Sequence, residues 1–153
     1  MVSADSRSSR TRPSGVVIDA SVVLKLLLPE ERSEAVRSFW ARWVEQEVEV
    51  VAPFLLAYEV ISVLRNKVFR GELPPEAGEA AFVAFRSQEI SLLHPDGIEE
   101  KAWGLAKQLN LPTSYDAAYL ALAELMEYEF WTADRRFAAG VRKKLPRVRV
   151  IGR

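Results

Sequence analysis

The sequence predicts a three-layer α/β/α fold built on a central parallel sheet of four to five strands. Two observations carry that expectation. Short β-branched apolar runs alternate from end to end with stretches of helical length and spacing. The connections between successive runs are also long enough for right-handed crossovers, which parallel strands require. A third observation bounds the size, since 153 residues make one domain with a substantial core.

The elements follow in order. Residues 1–14, rich in Ser, Arg and Pro, offer almost nothing to bury and read as a flexible extension ahead of a domain over 15–153. Val16-Val17-Ile18 is a buried parallel strand that ends in Asp19. Ser21 to Leu28 is a short apolar helix closed by Pro29, with Ser21 available as its cap. A helix over Glu30 to Gln46 places Val36, Phe39, Trp40 and Trp43 at helical spacing, a face suited to core packing or to docking another protein. Val48 to Ala52 is the second strand. Pro53 is placed at the start of a helix running to about Arg70, with Gly71 beyond it as the C-cap. Pro75 to Ser87 is helical, Ile90 to Leu93 a strand and Asp96 to Leu109 a helix. A helix from Tyr115 to Glu127, capped by Thr113 or Ser114, leads into the strand Glu129 to Thr132. A basic helix from Asp134 to about Leu145 and a strand over Val148 to Ile151 complete the chain.

Composition narrows the chemistry. With no Cys there is no disulfide, thiolate site or cysteine nucleophile, and a single His excludes a multi-histidine zinc site. His94, alone and before Pro95, reads as structural. Apolar runs of about seven residues, such as Ala117 to Ala123, fall far short of the ~20 a membrane helix needs. No signal-peptide core is present either, so a cytoplasmic protein is expected. The glycines form no Gly-x-Gly phosphate loop. Any catalysis must therefore rest on carboxylates.

Four acids occupy unusual positions. Asp19 and Asp134 follow strands at their carboxyl ends, Asp116 opens a helix, and Glu59 sits within the apolar stretch Phe54 to Leu64. In parallel α/β sheets the carboxyl ends of the strands form the functional rim. All four can point to that rim, where carboxylates ~5 Å apart repel by about 3 kcal/mol per pair at an effective dielectric near 20. Protonation or a bound cation offsets that cost. An oxygen-only ligand set selects Mg²⁺ or Mn²⁺ over zinc, and such ions suit phosphoryl chemistry. Ser21 and Thr132 are small hydroxyls placed to orient the acids or water.

The segments Val-Ile-Asp19-Ala-Ser21, the Glu59 helix, Ser-Tyr-Asp116-Ala-Ala-Tyr and Thr132-Ala-Asp134-Arg-Arg, in this order and spacing, resemble the PIN domain, specifically VapC-type toxins. The likeness spans about residues 15–151. It implies a Mg²⁺- or Mn²⁺-dependent endoribonuclease that cuts single-stranded RNA with metal-activated water, leaving 5′-phosphate and 3′-hydroxyl ends. It also implies a cognate antitoxin and a homodimer. By the same likeness Asp19, Glu59 and Asp116 are metal ligands and Asp134 completes the acidic cluster, through water or a second ion. Ser62 stands where the family often has Asn. Two alternatives stand beside this reading: a PIN-domain RNA-processing nuclease without antitoxin, and a non-catalytic PIN-like module that binds RNA or protein.

The zero net charge is unevenly placed, with +7 over residues 134–153 and −7 over the remainder. This asymmetry fits a polyanion near the C-terminal end. Arg135 and Arg136, beside Asp134, are the candidate RNA-phosphate contacts.

Overall fold

The computed structural model describes residues 14–29 and 34–151. The expected N-terminal extension, up to residue 13, and the first turn of the expected Glu30–Gln46 helix lie outside the described residues. The strands are β1 (Gly15–Ile18), β2 (Glu49–Pro53), β3 (Ser91–Leu93), β4 (Glu129–Thr132) and β5 (Val148–Val150). The helices are α1 (Ala20–Leu27), α2 (Glu34–Glu45), α3 (Leu55–Phe69), α4 (Pro75–Arg86), α5 (Ile98–Gln108), α6 (Tyr115–Met126) and α7 (Arg135–Val141). One five-stranded sheet of order β3-β2-β1-β4-β5 joins them, and every pairing is parallel.

That order places the functional rim. The chain runs outward from β1 through β2 to β3, then returns across the sheet to β4 and β5 on the other side. Loops leaving β1 and β4 therefore diverge, and a crevice opens between their carboxyl ends. Alternation along β4 shows the two helical layers directly. Trp131 points at α2, with its ring 4.9 Å from Phe39 and 5.7 Å from Trp43, whereas Phe130 points at Tyr119 of α6 and Phe137 of α7. Val17, Ile18, Val51, Ala52 and Phe130 are buried on both faces, the mark of a parallel sheet covered by two layers.

Most elements match the sequence reading to within two residues, with four local differences. Pro53 ends β2 and does not open a helix: Phe54 occupies the N-cap position and α3 begins at Leu55. Register explains this: Pro53 lies past the last β1–β2 rung at Val51 and pairs only with Leu93, at the last rung of the β2–β3 ladder. The basic helix is shorter than expected, seven residues ending at Val141, so Arg142 to Lys144 lie beyond it in turns. Ser114 holds the N-cap position of α6 without a side-chain capping bond. Finally, Val36, Trp40 and Trp43 of the α2 aromatic face are buried in the core, and Phe39 packs against it partly exposed. Gly71 takes the left-handed backbone expected just past the α3 cap, with φ +72°.

Candidate active site

Asp19 sits one residue beyond β1, and Thr132 ends β4. The register Ile18↔Trp131 makes them neighbours across the crevice. Asp19 itself caps α1, accepting from the Val22 N–H at 3.3 Å, and Ser21 is free of that duty, contrary to the sequence expectation. Ser21 Oγ donates to Asp19 Oδ1 and accepts the Ala133 N–H at 2.9 Å. Thr132 Oγ1 donates to Asp19 Oδ2 at 2.6 Å and accepts the Asp134 N–H at 3.0 Å. Both hydroxyl protons are thus committed to the two oxygens of one carboxylate, and two backbone amides of the β4–α7 loop hold the hydroxyls in place. The arrangement locks the orientation of Asp19 and favours its ionised form. Thr132 is fully buried.

Electrostatics links the remaining acids into a chain. Burial pushes the Asp19 carboxyl above its ordinary range, and the bonds from Ser21, Thr132 and Val22 pull it back in part. Burial also raises Glu59, the approach of the Tyr119 hydroxyl offsets some of this, and the charges of Asp116 and Asp19 raise it further. Asp116 is raised by burial and then by Asp134. Asp134 caps α7, accepting from the Phe137 N–H at 2.9 Å. Each acid therefore feels a like charge or stands within reach of one. No ion pair joins any of the four to a described cation. As the side chains stand, no three acids or histidines among the described residues are drawn close enough to hold a metal ion.

The donor chemistry fits a hard divalent cation: carboxylates only, mutually repelling and, among the described residues, without an ion pair to Lys or Arg. Asp19 is the fixed member. Glu59 is half-buried and Asp116 exposed, so both are less confined.

Sequence reasoning missed Tyr119. Its hydroxyl is buried beside Glu59 with no hydrogen-bond partner of good geometry. Burial, followed by the charges of Glu59, Asp19 and Asp116, holds the phenol far above its usual range, so it stays protonated as a potential donor. The signal was available: Tyr119 lies three residues after Asp116, hence on the same face of α6.

The basic candidates separate. Arg135 lines a cavity of about 520 Å³ with Ala35, Phe39, Ala139, Arg142, Val150 and Ile151, at the β5 side of the same rim. Arg136 is exposed and lies outside that lining. Arg142, a generic basic residue in the sequence, is the second guanidinium of the cavity.

A crossover parallel sheet with a switch point at β1 and acids at its carboxyl rim defines an acid-rimmed α/β protein. The PIN domain family model matches residues 16–142, and the chain belongs to that family. It is 34% identical over 127 residues to Ribonuclease VapC3 of Pyrobaculum aerophilum, covering 80% of this chain and 92% of that protein. The fold is similar to that of Mycobacterium tuberculosis VapC20, described as a Sarcin-Ricin loop cleaving toxin. The TM-score is 0.60 at 18% identity, covering 81% of this chain and 93% of that one. It is also similar to a chain of a toxin–antitoxin complex from Klebsiella pneumoniae, with a TM-score of 0.56 at 16% identity and coverage of 88% and 95%.

Proposed function

We propose that this protein is a PIN-domain endoribonuclease acting as the toxin of a toxin–antitoxin pair. The observation that carries the reading is the Asp19 carboxylate, oriented at the switch point by the hydroxyls of Ser21 and Thr132, whose bonds offset part of the effect of its burial, with the charges of Asp19 and Asp116 both acting on Glu59. The family and the ribonuclease names of its relatives support the same chemistry.

Asp19, Glu59 and Asp116 would hold Mg²⁺ or Mn²⁺, with Asp134 completing the acidic set. When bound, the ion supplies a polarised phosphate and an activated water. Ser21 and Thr132 keep Asp19 aimed at one point, so its oxygens need no reorganisation on binding. Tyr119, protonated and buried, orients Glu59. On the β5 side of the rim, Arg135 and Arg142 provide guanidinium groups to seat an RNA phosphate, and Arg136 adds charge at the surface. No helix among the described residues is long and apolar enough to cross a membrane, and the reading places the protein in the cytoplasm as a homodimer controlled by a cognate antitoxin.

The test is cleavage of a labelled single-stranded RNA panel by the purified protein with Mg²⁺, Mn²⁺ or EDTA, beside Asp19→Asn. Metal-dependent cleavage that the variant lacks is expected. Folded, antitoxin-free protein that cuts nothing in the panel overturns the assignment. Growth arrest on expression without a partner separates a toxin from an RNA-processing enzyme.

A further inference from the structure

Five strand ends divide the rim into zones. Asp19 and Thr132 mark the centre, at β1 and β4, and the Arg135–Arg142 cavity marks the β5 side. On the opposite side, the two rings that leave β2 and β3 meet. Phe54 and His94 each stand one residue past the last paired rung, Pro53↔Leu93. Their rings lie nearly parallel, 20° apart, with centroids separated by 5.7 Å.

Three features show that this pair is built and not incidental. Pro53 precedes Phe54 and Pro95 follows His94, so the backbone is restricted on both sides of the stack. His94 Nε2 lies 3.3 Å from Glu99 Oε1 on α5, a contact that favours this orientation of the imidazole. Yet the rings do not serve the core: Phe54 is 56% exposed and the His94 side chain 46%. Two further exposed rings flank the acids in sequence. Tyr58 lies one helical turn from Phe54 on α3, next to Glu59, and Tyr115 precedes Asp116 at the start of α6. Their exposures are 75% and 67%.

We infer that the Phe54–His94 pair is a stacking platform for a base of single-stranded RNA, beside the scissile phosphate on the β2–β3 side of the acids. This rests on the ribonuclease reading for the identity of the polymer. A platform of this kind explains selection of unpaired RNA by geometry, because a base inside a duplex has no free face to offer. Adjacent parallel strands lie ~4.8 Å apart, so the step from β2 to β1 keeps a stacked base within a nucleotide's reach of Asp19. The strand then crosses the rim roughly perpendicular to the β-strands, base on aromatic rings at one end and phosphate at the Arg135–Arg142 cavity at the other. Stacking accepts any base, so the platform confers single-strand preference without a sequence code.

The test uses a single-stranded oligoribonucleotide carrying 2-aminopurine, whose fluorescence is quenched when the base stacks. It is titrated with the full chain in EDTA, and steady-state cleavage is measured in parallel with divalent metal. Wild-type protein should quench the probe. Phe54→Ala should lose the quench and weaken binding by roughly tenfold, expressed in KM more than in kcat. Phe54→Trp should restore both, which a structural role for the ring would not predict, and His94→Ala should give a partial loss. Phe54→Ala that quenches and cleaves like wild type overturns the platform and leaves the ribonuclease reading intact. Wild-type protein that quenches but never cleaves retains the platform and removes the nuclease. Absence of quenching by the wild type overturns the platform whatever the cleavage result, and hands the exposed rings to a protein partner.

Discussion

Thr132→Val tests whether the Thr132 hydroxyl orients Asp19 and offsets part of the effect of its burial. The substitution is nearly isosteric, so the packing of a fully buried residue is kept while its hydroxyl is deleted. Two interactions are lost together: the 2.6 Å bond to Asp19 Oδ2 and the 3.0 Å acceptor for the Asp134 N–H. A hydrogen bond to a charged group contributes about 1.5–3 kcal/mol, and stranding a partly buried amide adds to its loss. The expected destabilisation at neutral pH is about 2–4 kcal/mol, a fall of roughly 5–12 °C in melting temperature for a domain of this size. Removal of this bond also raises the Asp19 pKa further, because Thr132 is one of the groups that lowers it. The wild-type advantage must therefore be full above both folded-state values and shrink as pH falls through them. Divalent-metal affinity should drop by about 10- to 100-fold, as for other residues that orient a ligand. Thermal melts by circular dichroism from pH 3 to 8, with calorimetric titration of Mg²⁺ or Mn²⁺ at pH 7, measure all three effects. Thr132→Ser, which keeps the hydroxyl, should recover most of the metal affinity. A Thr132→Val protein that melts within a degree of wild type and binds metal normally would falsify the account of Asp19.

Further predictions concern the other rim groups and the opposite end of the sheet. The folded-state pKa of Asp116 is raised, by burial and then by Asp134, so the native state holds its proton more readily than the unfolded chain. Stability therefore falls as pH rises from the ordinary carboxylate range through that raised value. Asp116→Asn should increase the melting temperature of metal-free protein at pH 7, with the gain vanishing near pH 3, while cleavage is lost. Tyr119→Phe removes a buried hydroxyl that lacks a good partner, so stability should stay constant or rise by up to about 1 kcal/mol. Glu59 should then titrate higher, and the acid limb of the pH–rate profile should move to higher pH. At the far end of β1, a Cβ on Gly15 would fall 2.1 Å from Tyr128 Cε2, and the Tyr128 hydroxyl is tied to Glu49 at 2.7 Å. Gly15→Ala should cost about 1–3 kcal/mol in a denaturant melt without changing the cleavage chemistry, since the rim lies at the other end of the strand.

The elements of this protein were legible because local chemistry writes them. A β-branched run between polar turns must extend, an apolar stretch ended by Pro29 must stop, and Gly71 supplies the left-handed residue past a helix. The four acids stood out as candidates for the same kind of reason, since a carboxylate inside an apolar helix or directly after a buried strand is costly without a partner or a ligand. Pro53 shows where local rules fail. A proline suits the first turn of a helix, yet it also suits the last rung of a strand, and pairing with β3 decided between them. The same holds for the α2 aromatics, equally fit for core or docking until Trp131 of a strand 90 residues away filled the space beside them.

Contacts across the crevice depend on register, which no local pattern specifies. Ser21 and Asp19 lie two residues apart, but the bond from Thr132 spans 113 positions and exists only because β1 pairs with β4. Register likewise brings Phe54 beside His94, and the return of the chain from β3 to β4 places Tyr119 beside Glu59. Sequence patterning selects which side chains are available for the rim, through burial and backbone propensity. Strand order and register select which of them touch, because a one-residue slip would turn each to the other face of the sheet.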